Sequence, residues 1–339
     1  MRNICRAKTF KGQAMTAQRV SIREKAQMIQ GQARHLLITG VATALLLSTA
    51  SIAQAQGRTE SARPLGMGSA FTAAASGNGA LYHNPAGVGT ISIYTLEGSF
   101  FVARGTNTLN ASIVDSKLNP KLAAGAAYSF EFSSDDDRSL TGHDTRVALA
   151  SPVIPKRLII GIGGRYLKVL EGDGSVQIEQ FNDFTLDVGA ILRISDSILL
   201  GVSGNNIIDV CEGKTNCSND VAPQSVGGGL AFGTPGGFQL TGDFRADFRN
   251  EEPLLIYATG GELLVAGMLA LRAGYQFRDP VLPKASLSLN SSAPLLLEDH
   301  VLALGGGIKT STVSFDVGFQ RRFKSEESIF NVALQVSFF

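Results

Sequence analysis

From about residue 90 onward the sequence is a succession of segments, each about 9–13 residues long, in which apolar and polar side chains alternate. Period two is the repeat of a β-strand, whose successive side chains point to opposite faces. We read fourteen strands: 91–102, 106–115, 121–132, 143–151, 157–169, 182–193, 197–206, 224–232, 237–247, 255–265, 268–277, 300–309, 312–322 and 328–338. A further strand is possible within 284–290. The connections then sort by parity. Those after even-numbered strands (116–120, 152–156, 194–196, 233–236, 266–267, 310–311) are short, while the longer ones (133–142, 170–181, 207–223, 278–299) all follow odd-numbered strands. An antiparallel barrel in an outer membrane has an even strand number, tight turns at one end and loops at the other. An exported β-sandwich also alternates, but gives no reason for this segregation.

The faces agree with a wall between lipid and lumen. Phe238, Leu240, Phe244 and Ala246 oppose Gln239, Thr241, Asp243, Arg245 and Asp247. Leu269, Leu271, Ala273, Tyr275 and Phe277 oppose Arg272, Gly274 and Gln276. Val313, Phe315, Val317 and Phe319 oppose Ser314, Asp316, Gln320 and Arg322. An Arg or Lys facing mid-bilayer lipid costs about 2–4 kcal/mol, so the charged faces belong to the lumen. In the last strand Phe330, Val332, Leu334, Val336 and Phe338 share the lipid face, which leaves Phe339 one residue beyond that register. We expect Phe330, Phe338 and Phe339 to belong to the closing strand that pairs with the first and is read by the barrel-assembly machinery. The expected fold class is all-β: a transmembrane antiparallel β-barrel of about 14 strands with an N-terminal segment in its lumen.

Near the start, Leu36 to Ala50 is an apolar run behind Arg34 and His35, followed by Ala53-Gln54-Ala55. A basic flank, a short apolar core and an A-x-A site describe an export leader better than a membrane anchor. We expect residues 1–55 to be removed near Ala55, with Met1, Met15 or Met28 as the start. The rest would hold 22 basic and 28 acidic residues, a net charge of −6. With no basic patch, nucleic acid is not an expected partner. Cys211 and Cys217 remain in one polar loop of an exported chain, which reads as a local disulfide.

Residues 56–90 stand apart from the barrel, 91–339. The stretch 61–90 is rich in small residues and nearly uncharged, and Asn84-Pro85-Ala86-Gly87 is a turn signal. Compact, uncharged chain suits a segment that must fit inside a barrel. Arg63-Pro-Leu-Gly66-Met-Gly68-Ser-Ala-Phe71, followed by Ala80-Leu-Tyr82-His-Asn84-Pro85-Ala86-Gly87, resembles the N-terminal signature of FadL/PorV-type outer-membrane proteins. Phrases such as Leu158-Ile-Ile-Gly-Ile-Gly-Gly-Arg-Tyr and Leu271-Arg-Ala-Gly-Tyr275 resemble strands of the PorV side. The resemblance implies a fourteen-stranded barrel whose N-terminal segment is a lumenal hatch, here Gly66, Gly68, Phe71, Tyr82, Asn84, Pro85, Ala86 and Gly87. It implies either passage of fatty-acid-like hydrophobic compounds across the outer membrane of a Gram-negative cell, or a role as a partner in protein secretion or surface attachment.

The lumen-facing polar candidates are Asp187, Asp243, Arg245, Asp247, Glu262, Arg272 and Asp316. Glu262 and Arg272 flank the turn near Gly267 symmetrically and are expected to face each other, as a wall-stabilising ion pair or as a contact to the hatch or solute path. The apolar stretches of 278–299 read either as an outer capture surface or as an extension of the following strand. Asp135-Asp136-Asp137 falls in an outer loop and reads as solvated. His35, His83, His143 and His300 lack ligand spacing, Gly201-Val-Ser-Gly is not a nucleophile elbow, and Gly161-Ile-Gly163-Gly continues into strand rather than helix. No catalytic residue, metal or cofactor is therefore expected, and the chain is not read as an enzyme. Expected partners are outer-membrane lipid, a hydrophobic small molecule and, on the alternative reading, secretion components.

Overall fold

A computed structural model describes residues 60–103, 106–134, 139–172, 177–210, 222–234, 236–248, 253–280 and 299–338. The leader, Cys211 and Cys217, Asp135–Asp137, Phe339, the 284–290 stretch and most of 278–299 lie outside them.

Fourteen strands close into one antiparallel barrel. They are β1 Tyr94–Ala103, β2 Thr106–Asp115, β3 Ala123–Ser134, β4 Ser139–Ile154, β5 Leu158–Gly172, β6 Gln177–Ser195 and β7 Ile198–Asn205, then β8 Gln224–Gly233, β9 Phe238–Phe248, β10 Pro253–Val265, β11 Leu269–Pro280, β12 Asp299–Lys309, β13 Val313–Arg322 and β14 Ser328–Phe338. Each strand pairs with its chain neighbour, and β14 returns to β1 with Phe338 opposite Tyr94 and Phe330 opposite Val102. No open edge is left, as lipid demands, because water is not there to bond an orphaned ladder.

The strand assignment holds for all fourteen elements, but several are longer than periodicity suggests. β4 begins at Ser139 and β6 at Gln177, so much of the expected loops 133–142 and 170–181 is strand. The backbone ladder continues there, with Leu140 opposite Glu171 and Glu171 opposite Ile178. A ladder that continues beyond the bilayer has no lipid face to enforce alternation, so the pattern that marks a strand fades before the strand does. β1 in turn starts at Tyr94 rather than 91.

The outer surface is apolar. Leu109, Val147, Ile162, Val202, Leu240, Leu271, Leu304 and Leu334 are each 47–58% exposed. Their neighbours in sequence turn inward and are polar or small, Gly or Ala. An exposed apolar belt around a closed wall is that of a membrane-spanning barrel.

Residues 60–93 lie inside this wall. Two short helices, α1 Ala62–Gly66 and α2 Ala80–His83, and 3-10 turns at Gly77–Gly79 and Pro85–Gly89 make up the segment. α1 packs against β11–β14, and the Pro85–Gly89 turn packs against β3–β6. Met67, Phe71, Leu81, Tyr82 and Val88 form a core with inward Val114, Ala127, Ala148, Ile191 and Ala231. The wall offers small apolar side chains where the segment docks, leaving room for a strand-free chain between opposite walls.

Candidate functional site

The Asn-Pro-Ala-Gly turn sits at the base of the docked segment. Pro85 opens the 3-10 turn, where its missing N–H leaves no bond unmade. Asn84 caps it, accepting from Ala86 N at 3.1 Å. The fully buried Asn84 amide donates to Thr72 O at 3.0 Å and also faces the β6 and β7 carbonyls of Ala190 and Val202. One side chain thus joins two parts of the segment to two wall strands. Gly87 is needed for close approach, since a Cβ there would lie 2.6 Å from that of Ala75.

The wall is cut away to receive the segment. Inward-facing Gly161, Gly189, Gly201, Gly260, Gly274, Gly305 and Gly318 each lie against its backbone or side chains. A Cβ on Gly201 would meet Thr72 O at 2.5 Å, and one on Gly66 would meet Gly305 Cα at 2.8 Å. Gly68 has φ +65° and its position abuts the Tyr275 backbone, so both conformation and space select glycine.

Side chains from the wall then bond the segment's backbone. Gln276 Nε2 donates to Gly68 O at 2.6 Å, Gln320 Nε2 to Leu65 O at 3.0 Å and Asn331 Nδ2 to Glu60 O at 2.6 Å. Thr72 N donates to Asp243 Oδ2 at 2.7 Å. These bonds satisfy backbone groups that neither helix nor ladder satisfies, in a place where leaving them unmade is costly. Tyr82 O–H donates to Asn110 Oδ1 at 2.7 Å, with Arg146 stacked 5.1 Å from its ring centroid. Burial pushes the Tyr82 phenol up, against the pull of Arg146, so it remains a hydrogen-bond donor.

An ionic network lies nearer the short-turn end. Arg272 donates to Glu262 at 2.7 Å and to Asp316 at 2.6 Å. Arg63 of α1 grips the same Glu262 with two nitrogens, at 2.9 and 2.8 Å, and also donates to Ser76 Oγ at 2.9 Å. The bidentate fork fixes direction as well as charge. Glu262 and Arg272 stand opposite each other on β10 and β11, and both contact to the wall and contact to the segment occur at once. These groups line a cavity of about 280 Å³ on the short-turn side, with Glu97 and Lys309.

The other lumen-facing candidates are dispersed. Asp187 accepts from Asn206 N at 2.7 Å. Arg245 donates to Asp247 at 2.7 Å, away from the Glu262 network. Phe330 and Phe338 lie on the lipid face of β14, where Phe338 tilts against Tyr94 at 5.9 Å. Among the described residues no group of His, Cys, Asp or Glu is arranged to hold a metal ion.

Sequence reasoning missed several participants. Arg63 was visible only as part of the motif, although it is the one cation of the segment from 60 to 93. Gln276 and Gln320 fall on the lumen face by alternation, but nothing local says what an uncharged amide will hold. A second ionic cluster also went unread. Arg146 and Arg165 share Asp144, at 3.0 and 2.8 Å, on β4 and β5. Glu60 and His83 pair at 3.0 Å within the segment itself.

No family model matches the chain, and no curated protein matches it in sequence. Solved structures do match in fold. The CymD monoaromatic hydrocarbon channel aligns with TM-score 0.60 at 10% identity, over 82% of this chain and 96% of that one. The Pseudomonas putida toluene transporter TodX aligns with TM-score 0.57 at 12% identity, over 83% and 98%. A Pseudomonas aeruginosa FadL homologue gives 0.55 at 11% identity, over 83% and 98%. These structures stand on the FadL side of the expected resemblance and lend no support to the PorV side. At such identity the likeness is one of architecture, and the chain shares the barrel fold of these hydrocarbon channels.

Proposed function

We propose that the chain is an outer-membrane channel for hydrophobic small molecules and carries out no covalent chemistry. The observation that carries this reading is a closed, lipid-facing barrel whose lumen is occupied by its own N-terminal segment. A wall that spans lipid but is stoppered suits selective passage better than free diffusion of ions. Two of the structures that share the fold are described as a monoaromatic hydrocarbon channel and a toluene transporter, which supports a hydrophobic solute.

In this reading residues 1–55 direct export and are removed near Ala55, and residues 56–90 act as a hatch. A solute leaves water at the outer loops and meets the apolar contact of Leu65 with Phe101, Ala103 and Ile329 in the outer half of the lumen. Passage then requires the hatch to shift over Gly66–Gly87. Neighbouring strands are hydrogen-bonded all round the wall, which favours release past the hatch over release sideways. Arg63 and Glu262 hold the hatch from below, and Asn84 holds its base. Of the seven polar candidates of the lumen, Asp243 and Glu262 fasten the segment directly, and Arg272 with Asp316 supports Glu262 from the wall.

The test is uptake of two labelled solutes, a monoaromatic hydrocarbon and a long-chain fatty acid, by a deletion strain. Both the wild-type chain and an Asn84→Ala chain are supplied back. We expect uptake of at least one solute to fall on deletion, to return with the wild-type chain and to be altered by Asn84→Ala. Wild-type uptake of both solutes by the deletion strain sinks the proposal, and the solute that responds names the class.

A further inference from the structure

The lipid face carries one cross-strand device twice, on separate parts of the wall. On β3 and β4, Tyr128 O–H meets His143 Nδ1 at 2.7 Å, the two rings lie 6.1 Å apart at 33°, and Phe130 lies tilted against the same imidazole at 5.4 Å and 47°. On β11 and β12, Tyr275 O–H meets His300 Nδ1, the rings lie 6.0 Å apart at 32°, and Phe277 lies 5.4 Å from the imidazole at 45°. In both, a Tyr-x-Phe on one strand faces a His on the next, with Phe130 opposite His143 and Phe277 opposite His300. Both modules sit at the loop end of the barrel, where the apolar runs of their strands stop. An aromatic girdle needs rings at this level, but it does not need the same imidazole geometry twice.

We propose that these modules are docking points for the phosphorylated head groups of outer-leaflet lipid. A phenol is a stronger donor than a neutral imidazole N–H, so each Tyr hydroxyl donates to Nδ1. The ring proton is thereby placed on Nε2. That N–H lies on the side of the ring away from the Tyr, while the Phe supplies an apolar side for the first part of an acyl chain. A cation stands beside each module. Lys168 is directly opposite His143 on β5, and Arg321 is opposite Leu302, diagonal to His300. A fixed N–H donor, a cation and an aromatic wall at the lipid–water boundary complement a phosphate ester that carries chains. The inference rests on the barrel lying in an outer membrane and not on what passes through it.

The experiment is native mass spectrometry of the purified barrel with a bisphosphorylated lipid A-type glycolipid, beside the same lipid stripped of phosphate. The variants are His143→Phe with His300→Phe, which keep the aromatic girdle, and Lys168→Gln with Arg321→Gln. A heat-modifiable band on gels shows that each variant is folded. We expect the wild type to retain the phosphorylated lipid about tenfold better than the stripped one, and each double variant to lose that preference. Inorganic phosphate at millimolar concentration should not compete, which separates a lipid head group from a free anion. Equal retention of the two lipids by the wild type, or an unchanged preference in both double variants, overturns the assignment. Wild-type uptake of both solutes by the deletion strain, with the lipid preference intact, would dismiss the channel reading and leave this one standing.

Discussion

Asn84, Arg63 and Glu262 show how few side chains fasten the segment in the lumen. Asn84 replaces a missing helix cap and bonds its own segment and the wall at once. Arg63 and Glu262 connect α1 to β10 with side chains only 24% and 10% exposed. Because Arg272 also holds Glu262, removing Arg63 leaves the carboxylate partnered, while removing Glu262 takes a carboxylate from both guanidiniums and leaves Arg272 with Asp316 alone. Arg63→Gln should therefore cost less than Glu262→Gln, and the double variant less than the sum. A double-mutant cycle on folding in detergent should give a coupling on the order of 1–3 kcal/mol. Coupling indistinguishable from zero would mean that the pair does not fasten the segment.

At the level of elements, the strands obey two solvents. Leu304 of β12 faces lipid between Ala273 and Phe319, in the middle of its apolar run. Thr145 of β4 also faces out, but lies beside Tyr128 and Tyr166, nearer the loop end. Leu304→Arg should destabilise the barrel by about 2–4 kcal/mol and Thr145→Arg by about 0–1 kcal/mol. Urea titration of folding into lipid vesicles measures both, and equal costs would contradict the placement of the bilayer. The same argument explains where strand boundaries were legible. β9, β13 and β14 match their alternation to within a residue, because almost every position of each faces either lipid or lumen. β4 and β6 outrun theirs, because beyond the bilayer neither face is penalised for a polar residue.

For the molecule as a whole, the wall and its content are separable in principle. The wall closes through β1 and β14, which lie outside residues 61–90. A chain lacking 61–90 should still close and give a heat-modifiable band, but should conduct ions in planar bilayers where the intact chain conducts little. The cut-away glycines and the ionic cluster around Arg272 would then border open water. A folded deletion variant with no added conductance would show that the segment is not what stoppers the lumen.

The alternation of the segments, the parity of the connections and the small-residue stretch before them determine a barrel, its inside and outside, and a compact segment to put in it. They do so because lipid imposes a face rule on every residue it touches, and that rule is local. What holds the segment was decided only by the tertiary structure. Gln276, Gln320 and Asn331 reach carbonyls more than 200 residues earlier in the chain. Such partners follow from strand register and barrel closure, and a local pattern of residues does not encode them. Glu262 and Arg272 could be paired in advance across a tight turn, whereas Arg63, which joins that pair, lies 199 residues before Glu262 and meets it only in the closed barrel.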